Sequence, residues 1–199
     1  KNILIIKIET GMNQDNFDHL INGILSPKVT GELEFESFFS IKDICERVTP
    51  LSILELGFNR GASALMWLEN SEATLHSVDI RTEAEVLKST QYLTQSYPNR
   101  FTYTSFDHSL LPEVKSEYVN KYDLIFIDGD HSKEAILRDT KIALTFNPKY
   151  IAFDDYFHRS HGQDTKDVIQ ECKLEIISEY NTSCGHVLTI NPFYDNKFN

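Results

Sequence analysis

Cysteine and glycine are both scarce in this chain, and positive charge is scarcer than negative. Among 199 residues there are three cysteines, Cys45, Cys172 and Cys184, and no two are spaced as a CxxC pair. That count excludes a disulfide framework and argues against a zinc site, so the thiols are expected to be reduced, as in a cytoplasmic protein. No apolar run approaches the ~20 residues of a membrane helix. The opening KNILIIKIETG is too short for a signal core and reads as a strand. Lys and Arg total 19 against 30 Asp and Glu, a formal charge of -11, with no basic cluster. Nucleic-acid affinity rests largely on cationic contacts, so a nucleic-acid partner is excluded, and a small molecule or a cation is favoured instead. Repeats, low-complexity tracts and linkers are absent too.

What is present fits one domain with a sizeable core. Residues 51–190 alternate strand-like and helix-like segments. Strands are expected at 52–56, 74–80, 101–106, 122–128, 150–155, 174–180 and 185–191. Helices are expected at 61–70, 82–98, 132–146 and 163–172. Thr82 with Glu85 three residues on reads as a capping box, and Ser132 as a helix cap. The loop NTSCG before the last strand is too short for a crossover helix, so the last two strands should pair antiparallel. The pattern predicts an α/β fold, a doubly wound, mostly parallel seven-stranded sheet with an antiparallel last strand. Residues 31–48 have the apolar spacing of an amphipathic helix that packs on the sheet or lids a site. Residues 1–50 are read as an N-terminal segment and 51–199 as the ligand-binding domain.

Open parallel sheets bind ligands at the carboxyl ends of their strands. Glu55, Asp79, Asp107, Asp128 and Asp154 all fall at or just past such ends, which makes that rim a site. The loop after the first strand, LELGFNRGAS, carries only Gly57 and Gly61, with Phe58 and Asn59 between them. A dinucleotide fingerprint needs a third glycine to admit a pyrophosphate, and Glu55 would repel phosphates. The loop suits S-adenosylmethionine better than NAD, with Asp79 placed to accept both ribose hydroxyls. Asp128 ends the fourth strand while Asp154 and Asp155 end the fifth, so three carboxylates converge. Without a cation they would take up protons, and Mg²⁺, or a similar divalent ion with oxygen preference, is the simpler remedy. Asp130 and His131 either serve as a general base or cap the helix near Ser132. Arg138 and Asp139 read as a helix-surface pair, His158 and His161 as solvated loop histidines or, less commonly, substrate contacts, and Met66 and Trp67 as core.

ELGFNRGAS resembles the first motif of class I S-adenosylmethionine-dependent methyltransferases, in the form O-methyltransferases use. The resemblance continues through SVDI, SFDHSLLPEV, YDLIFIDGDHSKEAILRD and YIAFDDY, covering roughly residues 51–190. It is most specific over 122–156, which is similar to the branch with macrocin-type sugar O-methyltransferases and, more distantly, the catechol and caffeoyl-coenzyme-A enzymes. The resemblance implies an O-methyltransferase acting on a small-molecule hydroxyl, possessing a sugar acceptor by the nearer relatives. It places Glu55, Gly57 and Gly61, with Phe58 and Asn59 in the same loop, at the amino-acid end of the cofactor. Ser63 would bind the cofactor carboxylate, Asp79 the ribose and Asp107 the neighbourhood of the adenine. Asp128 would border the cofactor and, with Asp154 and Asp155, hold the metal, while Asp130 or His131 would be the base. Phe106 stands before Asp107 where relatives often have glycine, and NPKY stands where they usually have Gly-Gly. A metal-independent methyltransferase and a non-catalytic cofactor-binding module are the alternatives. The oligomeric state, a homodimer included, is left open.

Overall fold

Leu124–Ile127 are four consecutive apolar residues, and all four are buried. A strand with no polar side must be covered on both faces, and this strand, β4, lies at the middle of such a sheet. In a computed structural model, which describes residues 35–182 and 185–195, the elements run α1 (Phe35–Val48), β1 (Ser52–Leu56), α2 (Ala62–Asn70), β2 (Thr74–Asp79), α3 (Ala84–Ser96) and β3 (Phe101–Ser105). A 3₁₀ helix (His108–Glu117) follows, then β4, α4 (Lys133–Thr145), β5 (Tyr150–Phe153), α5 (Gly162–Glu171), β6 (Glu175–Glu179) and β7 (Val187–Ile190). The expected strand at the chain start, residues 31–34 of the expected first helix, and Cys184 lie outside the described residues.

The seven strands are ordered β3-β2-β1-β4-β5-β7-β6. All pairs from β3 to β5 are parallel. β7 inserts antiparallel between β5 and β6. The chain winds from β1 outward to β3, then returns to the other side of β1 with β4, so the topological switch point falls between β1 and β4.

Alternation along the strands sorts the core into two layers. Ile53, Leu75, Leu124, Phe126 and Ala152 share one layer with Met66 and Trp67 of α2 and with Ile41 and Ile44 of α1. Leu54, Leu56, Ile125, Ile127 and Phe153 share the other with Ile136 of α4 and Val168 of α5. Helix α1 thus packs on the sheet side of the fold. The expected capping box is not made: the residue that caps α3 is Glu83 rather than Thr82, and no side chain bonds the helix end. Ser132 does occupy the cap position of α4, but its side chain makes no capping bond.

Candidate active site

The switch point is built by close backbone approach. Asp128 N–H donates to the Leu56 carbonyl at 2.9 Å, and Gly57 N–H to the Val78 carbonyl at 2.9 Å. Gly57 has φ 103°, and a Cβ there would run into the Asp128 carbonyl. A side chain is therefore excluded by both conformation and space. Gly61, φ 82°, starts α2, and a Cβ there would lie 2.6 Å from the Phe58 ring. That ring is buried against Phe101 and Tyr103, which anchors the loop from below.

Asp79, at the end of β2, fixes the loop from the side. Its Oδ2 accepts the N–H groups of Phe58 at 2.8 Å and Asn59 at 2.7 Å. Its Oδ1 accepts Arg81 N–H at 3.0 Å. A carboxylate has about four acceptor positions, and three of those of Asp79 meet loop N–H groups. Glu55 is fully buried behind this loop and is not on the cavity wall. It accepts Ser63 Oγ–H at 2.7 Å and Ser77 Oγ–H at 2.5 Å. Burial pushes its carboxyl up to about 7, against the two serine hydrogen bonds that favour the charged form.

The acids beyond β4 and β5 are compensated from within the protein. Asp128 is recessed in the wall, and its carboxyl is held well above the usual range by burial, then by the charge of Asp154 to which it hydrogen-bonds. Burial also acts to raise Asp154, but the hydrogen bond and charge of His186 outweigh it, and Asp154 stays below the usual value. His186 Nε2 lies 3.1 Å from Asp154 Oδ1. Asp155 has a left-handed backbone, φ 56°, and its Oδ2 lies 3.3 Å from His131 Nδ1. Asp130 is exposed, and its Oδ1 accepts Ser132 N–H at 2.8 Å, which holds its carboxyl below the usual value.

The metal expectation meets a different arrangement. Asp128, Asp154 and Asp155 offer hard oxygen donors on one wall, the chemistry a divalent ion prefers. Yet among the described residues no group of three or more acidic, histidine or cysteine side chains is arranged to hold a metal ion. Asp154 is turned to His186 and Asp155 to His131, so the three oxygens do not converge as ligands.

Other residues at or near the site complete the picture. Asp139 is fully buried rather than on the helix surface. Its Oδ1 accepts Arg138 Nε–H at 2.9 Å and its Oδ2 lies 3.1 Å from His108 Nε2. His108 in turn sits under Gly129, where a Cβ would be 3.1 Å from its ring. His158 is half-buried and lines the cavity, stacked on His161 with ring centroids 5.0 Å apart. Periodicity alone carried a signal for Asp139, which falls on the same α4 stripe as Ala135, Ile142 and Ala143, all buried. His186 carried a weaker one, as a histidine opening an apolar strand.

One cavity of about 640 Å³ collects these groups. It runs from the loop residues Gly57–Arg60 and Ser63, past Asp79, Ile80 and Asp107, to Asp128, Asp130, His131, Asp154 and Asp155. Of the expected cofactor residues, Glu55 and Gly61 alone stand off its wall. That volume is in the range of small-molecule sites. Ile80, apolar yet 67% exposed, offers a flat face at the Asp79 end.

Known proteins share this arrangement of elements. An O-methyltransferase from Bacillus cereus, solved in complex with SAH, is similar with a TM-score of 0.71 at 13% identity, over 92% of this chain and 94% of that one. TomG from Streptomyces achromogenes, an O-methyltransferase involved in tomaymycin synthesis and solved with SAM, gives 0.65 at 12% identity, over 90% of each chain. A Staphylococcus aureus protein provisionally assigned as a caffeoyl-CoA O-methyltransferase gives 0.67 at 16% identity, over 87% and 91%. These likenesses establish the fold. No curated protein matches the chain. Residues 54–156, more than half of the sequence, match the family described as a methyltransferase domain. The segment that builds the glycine loop, Asp79, the Asp128 turn and the Asp154 wall is the same one that matches, and the chain belongs to the methyltransferase-domain family, on the Rossmann-like fold of the S-adenosylmethionine-dependent class.

Proposed function

We propose that the protein transfers the methyl group of S-adenosylmethionine to a hydroxyl of a small molecule, a sugar hydroxyl in the first instance. The observation that carries this reading is the continuity of the cavity from Asp79 and the glycine loop to the acids beyond β4 and β5. The nucleoside belongs at the Asp79 end, where one Oδ1 position can accept a ribose hydroxyl and Ile80 can cover the base. Asp107 stands beyond it, its Oδ1 taken by Ser109 N–H at 2.9 Å. Ser63, in the first turn of α2, flanks the amino-acid end. The methyl then faces Asp128, His131 and Asp154.

His131 is the better-placed base of the two candidates, since Asp130 is engaged with the start of α4. Asp155 Oδ2 stands 3.3 Å from Nδ1; a proton kept on that nitrogen leaves Nε2 with a lone pair for the acceptor hydroxyl. The hydroxyl proton passes to Nε2 as the oxygen forms its bond to the methyl carbon. The carbon–sulfur bond breaks, and its electron pair stays on sulfur, giving neutral S-adenosylhomocysteine. Holding the two reactants in line is the larger contribution.

A second reading adds Mg²⁺ or a similar ion, supported by the meeting of Asp128 and Asp154 in the wall, because two touching carboxylates must share either a proton or a cation. Asp128, Asp154 and Asp155 would hold it, with Asp155 turned away from His131, and it would stabilise the acceptor alkoxide. Calorimetric titration with S-adenosylhomocysteine and with NAD, followed by transfer from labelled S-adenosylmethionine to sugars and phenols, tests the main reading. Heat with NAD alone would overturn it. A melting temperature raised by millimolar Mg²⁺ and lowered by EDTA selects the second reading, and an unchanged one the first.

A further inference from the structure

The acid pair has a brace that reaches across the sheet. His186, at the start of β7, is fully buried and packs edge-on to Phe126, with centroids 5.6 Å apart. On one side its Nε2 faces Asp154 Oδ1 at 3.1 Å, an ion-pair distance, and among the described residues this buried nitrogen makes no aligned hydrogen bond, so Asp154 is the group it stands against. On the other, its Nδ1 meets Ser40 Oγ of α1. Ser40 Oγ also stands 2.9 Å from the Ser37 carbonyl; with its one proton turned to Nδ1, the N–H of the neutral ring is at Nε2, toward Asp154. A ring bounded at both nitrogens and on its face has little freedom, so the carboxylate against it is fixed as well.

We propose that His186 is a positioning residue: the line Ser40–His186–Asp154 aims the Asp154 carboxylate at Asp128 and into the cavity. Neither Ser40 nor His186 lines the cavity, so both act through Asp154. Burying Asp154 without that partner would leave an uncompensated charge in the wall, and the carboxylate would turn away. The consequence for binding follows from the charge of the ligand. S-adenosylmethionine carries a sulfonium that S-adenosylhomocysteine lacks, so a carboxylate held at the methyl end favours the first over the second. This rests on the reading of the cavity as the methyl donor's site.

The test compares wild type, His186→Leu, His186→Gln and Ser40→Ala by calorimetry with S-adenosylmethionine and S-adenosylhomocysteine. Glutamine keeps an N–H in reach of Asp154, whereas leucine keeps only bulk. The preference for S-adenosylmethionine should fall about three- to tenfold in His186→Leu, recover in His186→Gln, and fall less in Ser40→Ala, a range expected for one close, partly buried charge pair. Affinities that shift together at constant ratio in the folded variants would overturn the proposal. If His186→Leu does not fold, Ser40→Ala and His186→Gln still decide, because loss of the brace must lower the ratio in the first and not the second. Proton NMR gives a separate check: a downfield His186 N–H resonance should disappear in Asp154→Asn. If wild type binds neither compound, the donor-site reading fails, and the resonance alone decides whether His186 holds Asp154; its persistence in Asp154→Asn would refute the brace.

Discussion

Burial pushes the Glu55 carboxyl up to about 7 from the usual 4.5, and an acid raised in the folded state has a definite effect on stability. The contribution is fully present below pH ~4.5, where folded and unfolded chains both hold the proton, and it is lost as pH rises through ~7. The loss amounts to about 3 kcal/mol. Glu55→Gln keeps the shape and the two serine partners but cannot ionise. Thermal melts across pH 4.5 to 8 should therefore show the wild type losing stability relative to Glu55→Gln over that window. Parallel curves would mean that the unfolded chain and the buried site hold the proton equally well. The same residue-level logic separates Asp128, pushed up by burial and by the charge of Asp154, from Asp154, which is held down by His186 beside it.

Elements decide which polar residues are free to do chemistry. Asp130 sits where α4 begins and binds Ser132 N–H, the service a capping side chain gives a helix. Asp130→Ala should cost about 1 kcal/mol of stability by denaturant titration. Asp130→Asn, which keeps an acceptor, should cost less and leave methyl transfer in place. Loss of transfer in the folded asparagine variant would restore Asp130 as the base. Helix α1 is likewise part of the body: Ile41 is fully buried in the layer that contains Trp67 and Phe126. Ile41→Ala should then destabilise the protein by about 2–5 kcal/mol, measurable as a lower denaturation midpoint. A cost near zero would mean that α1 detaches without disturbing the core.

At the scale of the whole molecule, charge and topology act together. The formal charge of -11 and the acids on the cavity wall favour a cationic ligand, and such long-range attraction is screened by salt. Raising NaCl from about 0.05 to 0.5 M, a change in screening length from ~14 to ~4 Å, should weaken S-adenosylmethionine binding more than S-adenosylhomocysteine binding. Equal salt dependence of the two affinities would remove electrostatic attraction from the account. By itself the sequence determined the alternation of strands and helices, the buried centre of the sheet, the short loop that makes β6 and β7 antiparallel, and the row of acids at the strand ends. Those features follow from local periodicity and from chain length between elements, which a linear string carries. Only the tertiary structure decided that Glu55 lies behind the glycine loop, that Asp79 accepts the Phe58 and Asn59 N–H groups, that Asp139 is buried beneath His108, and that Asp154 answers to a histidine on β7 and a serine on α1. Each of those is a contact between residues far apart in the chain, and which side chain compensates a buried charge is set by what the packed elements bring within about 3 Å of it.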